Sequence, residues 1–485
     1  MKTNKFNFLT LLLAVAALLL FSCKKDQPIV IEGPDDPDEP NTEVDVKLSD
    51  ISGNRLTVLG WYGVPFAKRS VNHFKTMADC GFTHNLPGDF FDQYPGAWPE
   101  TDATGIDFAS VTNLLDMAQA GGIKSFVPFE SLHPWHFVYQ DTDQDGRVED
   151  HSAEYPVSAA YIEALDNHSA LAGYKVMDEP QESTWNSLYN TLYNWLRPRT
   201  NKTAYVNLLP STAIIISGGN YRDDYVKKYA DLDILHMTSF DCYPIYREGG
   251  VRKVHLRTLY ETLEAFSSVS KETGKPFWAF ALTLPHTADA GEYPPPTLND
   301  LHLQVYSNLA YGAQGIQYFT YWEVASTPDG DQRVMGIPAI VDKDGNPTTT
   351  YNLVKSVNKE IEVLSPVFLN ATVEWVRHAC TAENLPHTSC TLFDKAILPS
   401  IITDINIEGT SDGVVISHLK KGEDRFLVIV NRDINRTEKI RVSGSDKLYR
   451  IQKDDVTEAK ILSNDNDAVH TLSPGDALIY FWKNE

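Results

Sequence analysis

The chain of 485 residues is 42% hydrophobic and 22% charged, with 28 Gly and 27 Pro, which excludes a disordered, fibrous or small disulfide-stapled protein. Its length exceeds one ordinary domain and suits a barrel of about 250 to 350 residues with an appendage. Asp and Glu number 65 against 42 Lys and Arg, a net charge of −23, so no broad basic surface is available for nucleic acid.

The first 22 residues read as an export signal: Lys2 and Lys5 precede an apolar run from Phe8 to Phe21 that is too short to span a bilayer. The run closes in Leu20-Phe21-Ser22-Cys23, which resembles a bacterial lipobox in which Phe21 is bulkier than the residue usual there. That resemblance implies cleavage before Cys23 and a lipid on its sulfur; an ordinary signal peptide is the other reading. Residues 23–46, rich in Pro and Asp, read as an extended tether. The expected location is the bacterial cell envelope, anchored by lipid to the outer membrane, with the membrane touched only through that anchor. Four further cysteines follow. Cys80 and Cys242 lie in apolar segments and read as buried thiols, while Cys380 and Cys390 could close a short loop, a pairing the sequence leaves open.

From residue 47 to 369 short β-rich apolar runs alternate with amphipathic stretches, which predicts a parallel sheet wrapped in helices. Eight runs can be counted, at 56–63, 82–88, 123–130, 172–179, 203–210, 233–241, 275–282 and 315–322. Helices are expected from Ser70 to Asp79 and from Thr184 to Leu196, the second with Trp185, Leu188, Leu192 and Trp195 at core spacing. Eight β/α units predict a (β/α)8 TIM barrel, an α/β fold whose site lies at the C-terminal strand ends. Those ends carry Trp61 and Tyr62, Asn85 and Asp89, Glu130, Asp178 and Glu179, Asn207, Asp241 and Tyr243, His286, then Trp322 and Glu323. Residues 370–485 change to short alternating strands, with a hairpin through Lys420-Lys421-Gly422-Glu423-Asp424, and predict a C-terminal β-sandwich. The sandwich either packs against the barrel or binds glycan.

The fourth run, Ala172-Gly173-Tyr174-Lys175-Val176-Met177-Asp178-Glu179-Pro180, carries the chemistry. Pro180 is expected to hold Glu179 extended and to end the strand, presenting its carboxylate at the mouth. This segment resembles the fourth strand of clan A glycoside hydrolases, which ends in Asn-Glu-Pro; here Asp178 stands for the Asn, as in an Asp-Glu-Pro branch. The segment from Asn308 to Trp322 is similar to the last helix and eighth strand of β-galactosidase-like members of that clan. The resemblance implies a retaining glycosidase with Glu179 as acid/base and an aromatic floor at the eighth strand.

Glycoside cleavage needs one carboxylic acid and a second carboxylate, ~5 Å away as nucleophile or ~6.5–9.5 Å away as base for water. The clan's nucleophile ends the seventh strand, but Phe277-Trp278-Ala279-Phe280-Ala281-Leu282-Thr283 contains no acid. The candidates are Asp241 and Glu323, which directly follow strands, then Glu130 and Asp178. The empty seventh strand also admits an inverting mechanism or a non-catalytic glycan-binding lipoprotein, and a second carboxylate within ~10 Å of Glu179 separates hydrolysis from binding. Trp61, Tyr62, Trp135, Tyr243 and Trp322 are candidates for stacking on sugar, with Asn85, Glu130, Asp178 and Asn207 for its hydroxyls.

One loop stands apart. Asp141, Asp143 and Asp145 occupy the first, third and fifth places of an EF-hand-like calcium loop, with Gly146 sixth. The twelfth place is Ser152, so Glu149 or Asp150 would have to substitute; a structural calcium, a calcium-dependent adhesion role and a solvated acidic loop are the readings. No P-loop, dinucleotide fingerprint, zinc spacing or serine nucleophile elbow occurs, so no organic cofactor is expected.

Overall fold

The computed structural model describes residues 54–87, 108–128, 139–140, 149–150, 162–213, 219–288, 291–324, 333–334, 338–408, 413–453, 460–462 and 468–483. All fall within one compact unit, 46–485. Eight parallel strands close a barrel: β1 (Thr57–Trp61), β2 (His84–Leu86), β3 (Lys124–Pro128), β4 (Leu171–Asp178), β5 (Thr203–Leu208), β6 (Thr238–Phe240), β7 (Phe277–Leu282) and β8 (Gly315–Phe319). Each pairs with its chain neighbour, and β1 closes on β8 with Trp61 opposite Phe319.

Strand alternation sorts the side chains. Leu59, Phe126, Ala172, Tyr205, Met237, Trp278 and Phe280 fill the interior, while Val58, Val127, Val206, Ala279 and Ile316 pack against the surrounding helices. Gly315 is required by this interior, since a Cβ there would lie 2.7 Å from the Trp278 indole.

The outer helices include α1 (Val71–Asp79), α2 (Phe108–Ala120), α3 (Trp185–Asn190), α4 (Leu256–Thr273), α5 (Leu298–Ala310) and α6 (Thr349–Phe368). Ser70 caps α1 by accepting from His73 N, and the helix buries Phe74 and Met77. The helix expected through Leu196 starts as α3 and continues as a wider-wound turn, Thr191–Leu196. Leu188 and Leu192 point into the core, and Trp185 meets Tyr229 edge-on.

The loops after β6, β7 and β8 build a five-stranded antiparallel sheet that the sequence did not announce, in the order Val251–Val254, Ile245–Glu248, Gly291–Tyr293, His286–Ala288, Arg333–Val334. It springs from the mouth end of the barrel. Arg252 pins it to the start of α5 by pairing with the buried Asp300 and donating to Pro295 O at 3.0 Å.

After α6 the chain enters the sandwich. A six-stranded sheet holds β9 (Thr372–Ala379), β11 (Val414–Lys421), β12 (Asp424–Asn431), β14 (Tyr449–Gln452), β15 (Lys460–Leu462) and β17 (Ala477–Lys483); a three-stranded sheet holds β10 (Ile402–Glu408), β13 (Glu438–Gly444) and β16 (Val469–Leu472). Ile416, Leu427 and Ile429 of the first meet Ile405, Ile440 and Val442 of the second. The opposite face of the larger sheet, with Val415, Val428 and Val430, joins the main barrel core. Gly422 turns the β11–β12 hairpin at φ +58.

Cys80 and Cys242 are buried thiols, and Cys380 and Cys390 are both free. No described helix is long and apolar enough to cross a membrane. Cys23, Asp89, Glu130, Trp135 and the loop residues Asp141, Asp143 and Asp145 lie outside the described residues; the short strands Tyr139–Gln140 and Glu149–Asp150 pair on either side of that loop.

Candidate active site

The end of β4 aims two consecutive carboxylates. In a regular strand Asp178 and Glu179 would point to opposite faces. Two local departures prevent this. The pairing with β5 skips a residue between Lys175 and Met177, which re-aims the strand end. Glu179 then takes φ +49, a left-handed conformation and not the extended one expected before Pro180. Its N–H still donates to Asn207 O at 2.9 Å, and Pro180 O accepts from Tyr225 OH at 2.8 Å, so contacts on both sides hold the turn. A non-glycine residue in this region costs about 1–3 kcal/mol, and here it brings the Glu179 side chain beside Asp241.

Glu179 and Asp241 lie side by side, each acting on the other's ionisation. Asp241 follows β6 and is 7% exposed. Between Asp178 and Asp241 stands Asn207 of β5, whose Nδ2 donates to Asp178 Oδ1 at 3.1 Å and to Asp241 Oδ1 at 2.9 Å. Three carboxyls thus converge from the ends of two strands, β4 and β6, with the Asn207 amide of β5 between them.

Asp178 and Glu179 open to solvent at the mouth, but the barrel walls strip water from their remaining sides. This dehydration, with the charge of Asp178, raises Glu179 to about 6, against the hydrogen bond from Asp241. Burial raises Asp241 well above the ordinary carboxylate range, and the Glu179 and Asp178 charges push the same way. Dehydration also raises Asp178, opposed by Lys175, Asn207 and the Glu179 N–H. The contact between Glu179 and Asp241 therefore retains a proton where isolated carboxylates have none. Tyr205 and Tyr243, both facing these charges, are held protonated by burial.

The other expected site residues divide. Tyr243 lies at the mouth, 5.4 Å from Phe319 and 6.4 Å from Tyr293 between ring centroids, and Tyr62 meets Phe319 edge-on at 5.9 Å. His286 stacks on Tyr293 at 4.6 Å. Trp61 faces inward but is 6% exposed, wedged against Phe280 and Tyr205. Asn85 is fully buried, accepting from Val64 N at 2.6 Å and donating to Ser125 Oγ at 3.0 Å, so its amide ties the β1 loop to β3. Trp322 is 4% exposed and packs edge-on to His73 of α1; the aromatic that faces the site from β8 is Phe319. Glu323 accepts from Lys343 N at 2.8 Å and is engaged with that turn.

The sequence reading passed over Tyr205, Ser239, Phe280, Tyr293, Gln317 and Phe319. Tyr205 and Ser239 each stand two residues before a named candidate, Asn207 and Asp241, so period-two alternation along β5 and β6 marks them as facing inward.

Two groups with metal-ligand chemistry occur among the described residues, both where barrel meets sandwich: Glu264, His378 and Cys390, and His302, Glu360 and Asp476. Each already faces a protein cation. Arg432 donates to His378 Nδ1 at 3.0 Å, and Lys453 bridges Asp476 and Glu360, the latter at 3.0 Å.

No family model matches the chain. No curated protein matches it either. Solved structures do. The β-galactosidase from Bacillus circulans sp. alkalophilus superposes with a TM-score of 0.54 at 10% identity, over 88% of this chain and 99% of that one. A structure described as a glycoside hydrolase gives 0.50 at 10% identity, over 90% and 96%. A β-galactosidase from the psychrophilic Marinomonas ef1 gives 0.44 at 14% identity over 65% of this chain, which spans 61% of its length. The structural neighbours are glycoside hydrolases, and the likeness is one of fold.

Proposed function

We propose that the protein is a glycoside hydrolase acting on an oligo- or polysaccharide, with Glu179 as general acid/base and Asp241 as the second carboxylate. The observation that carries this reading is the convergence of Glu179, Asp178 and Asp241 at the barrel mouth, where one Asn207 amide donates to both aspartates. A glycosidase needs one proton and one carboxylate at the scissile bond, which a pair of carboxyls sharing a proton supplies.

Carboxyls that act on each other this directly suit the retaining arrangement, in which the second attacks the sugar itself, better than the wider one that admits a water between them. In that reading the substrate opens the contact. Glu179 gives its proton to the leaving oxygen as the glycosidic bond breaks, while Asp241 bonds the anomeric carbon. Water then displaces Asp241, and Glu179 recovers a proton from it. Attack requires ionised Asp241, which burial and the neighbouring charges oppose; the Asn207 amide, donating to Asp241, and a substrate that parts the two carboxyls work the other way. Tyr62, Tyr243, Tyr293 and Phe319 supply rings for the apolar faces of sugars.

The lipobox-like Leu20 to Cys23 supports an envelope location with a lipid anchor on Cys23. The function is tested by sugar release from a panel of polysaccharides and aryl glycosides. Release that disappears in Glu179→Gln supports it; saturable glycan binding without release by either protein would favour a binding role.

A further inference from the structure

Below the carboxyls, the barrel interior contains a run of polar side chains that sugar cleavage does not directly require. Asn207 spends both Nδ2 hydrogens on Asp178 and Asp241. Its Oδ1 accepts from Ser239 Oγ at 2.8 Å. Ser239 Oγ accepts from Gln317 Nε2 at 2.8 Å, and Gln317 Oε1 accepts from Tyr205 OH at 2.5 Å. Asn207 is 2% exposed, and Ser239, Gln317 and Tyr205 are fully buried.

The direction of every bond follows from the two carboxyls. Asp178 and Asp241 call for donors, so Asn207 must turn its NH2 group to them and its oxygen away. That oxygen needs a donor, which consumes the one hydroxyl hydrogen of Ser239. Ser239 Oγ can then only accept, from Gln317 Nε2 and from Tyr205 OH, which lies 2.8 Å from it as well as against Gln317 Oε1, and the Gln317 amide keeps its oxygen toward Tyr205. With the Tyr205 hydroxyl placed between Gln317 Oε1 and Ser239 Oγ, this arrangement serves all four residues. Asn207 has no hydrogen-bonding hydrogen left for a ligand.

We propose that Ser239, oriented by Gln317, is a positioning residue that locks the Asn207 amide with its NH2 group toward Asp178 and Asp241, so that Asn207 serves the carboxylates and not the sugar. The geometry stands by itself; its consequence for turnover rests on the glycosidase reading above. Donation from Asn207 favours ionised Asp241, against Glu179, Asp178 and the dehydration of the site. Loosening Asn207 shifts that balance toward the protonated form.

The test reads the carboxyls directly. Carbon-13 NMR titration of the full chain, labelled at Asp and Glu carboxyls and assigned with Glu179→Gln and Asp241→Asn, would be run on Ser239→Ala and Ser239→Thr. Ser239→Ala is expected to raise the Asp241 midpoint by about half a pH unit or more, and Ser239→Thr, which keeps the hydroxyl, to titrate as the parent. A Ser239→Ala curve that coincides with the parent, or a Ser239→Thr curve displaced as far as Ser239→Ala, would overturn the proposal. Should Ser239→Ala fail to fold, Ser239→Cys, a weak donor of similar size, takes its place with the same expected direction, and coincidence with the parent again refutes the lock. Because no substrate is needed, a protein that cleaves no glycan yet shows the shift refutes the function and leaves the positioning role standing. An active protein without the shift does the reverse.

Discussion

Trp61 meets Phe280 edge-on inside the barrel, their ring centroids 5.3 Å apart. Phe280 faces inward from β7, the strand from which the resembled clan presents its nucleophile, so the interior there is apolar and holds no acid. The carboxyl that stands beside Glu179 is instead Asp241, after β6.

Replacing the acid isolates its role. Glu179→Gln keeps shape and removes the transferable proton, and turnover of any glycoside with a poor leaving group is expected to fall by about 10²–10⁴-fold. Circular dichroism of the variant should match the parent, since the side chain opens to solvent at the mouth.

The second carboxylate fixes the stereochemistry. With Glu179 and Asp241 in contact, the first sugar released is expected to keep the anomeric configuration of the substrate. Proton NMR of the earliest product reads this, and an inverted anomer would remove Asp241 from the nucleophile's role.

Activity should depend on pH through the proton that Glu179 retains. kcat/KM is expected to fall as pH rises through about 6, where Glu179 loses it. The Asp178 charge raises Glu179, so Asp178→Asn should move this alkaline limb to lower pH. A limb that stays in place would show that the Asp178 charge does not reach Glu179.

Folding stability should record the same shift with a defined sign. Glu179 binds its proton more tightly folded, at about 6 against the ordinary 4.5, so its favourable contribution is complete below pH 4.5 and lost as pH rises to about 6. Glu179→Gln is therefore expected to melt higher than the parent above pH 6, with the difference shrinking below pH 4.5. Scanning calorimetry at several pH values checks it.

The junction between barrel and sandwich offers a separate test. Lys453 bridges Asp476 and Glu360 and donates to Tyr306 OH at 2.9 Å, with all three charged groups mostly shielded. Burial alone would raise Glu360, but His302 and Lys453 outweigh it and hold it at about 2. Lys453→Met leaves two carboxylates facing each other and is expected to cost about 3 kcal/mol by urea unfolding at pH 7. The loss should shrink as pH falls below the ordinary Glu range toward 2, as the carboxylates neutralise in both proteins.

Much of the architecture was legible in the residues. All eight strands were countable because parallel strands buried on both faces read as continuous apolar runs between amphipathic stretches. That Glu179 and Asp241 sit at strand ends was legible through Pro180 and through the apolar run before Asp241. The left-handed turn at Glu179 was not, because Pro180 favours extension and only contacts with Asn207 and Tyr225 hold the alternative. Trp322 and Asn85 were misjudged as facing ligand for a related reason: position at a strand end does not reveal whether a side chain turns into the mouth or back onto α1 or β3. The five-stranded sheet over β6 to β8 escaped notice since its strands are two to four residues long, too short to show alternation.

The most direct measurement is the initial rate of sugar release by the full chain beside Glu179→Gln, Asp241→Asn and Glu323→Gln, on whichever glycoside of the panel the parent cleaves fastest. The account predicts that the first two variants lose at least about 10²-fold while Glu323→Gln, engaged with the Lys343 turn, stays near the parent rate. A parent that releases nothing from any glycoside, or a Glu179→Gln that matches it, would contradict the assignment.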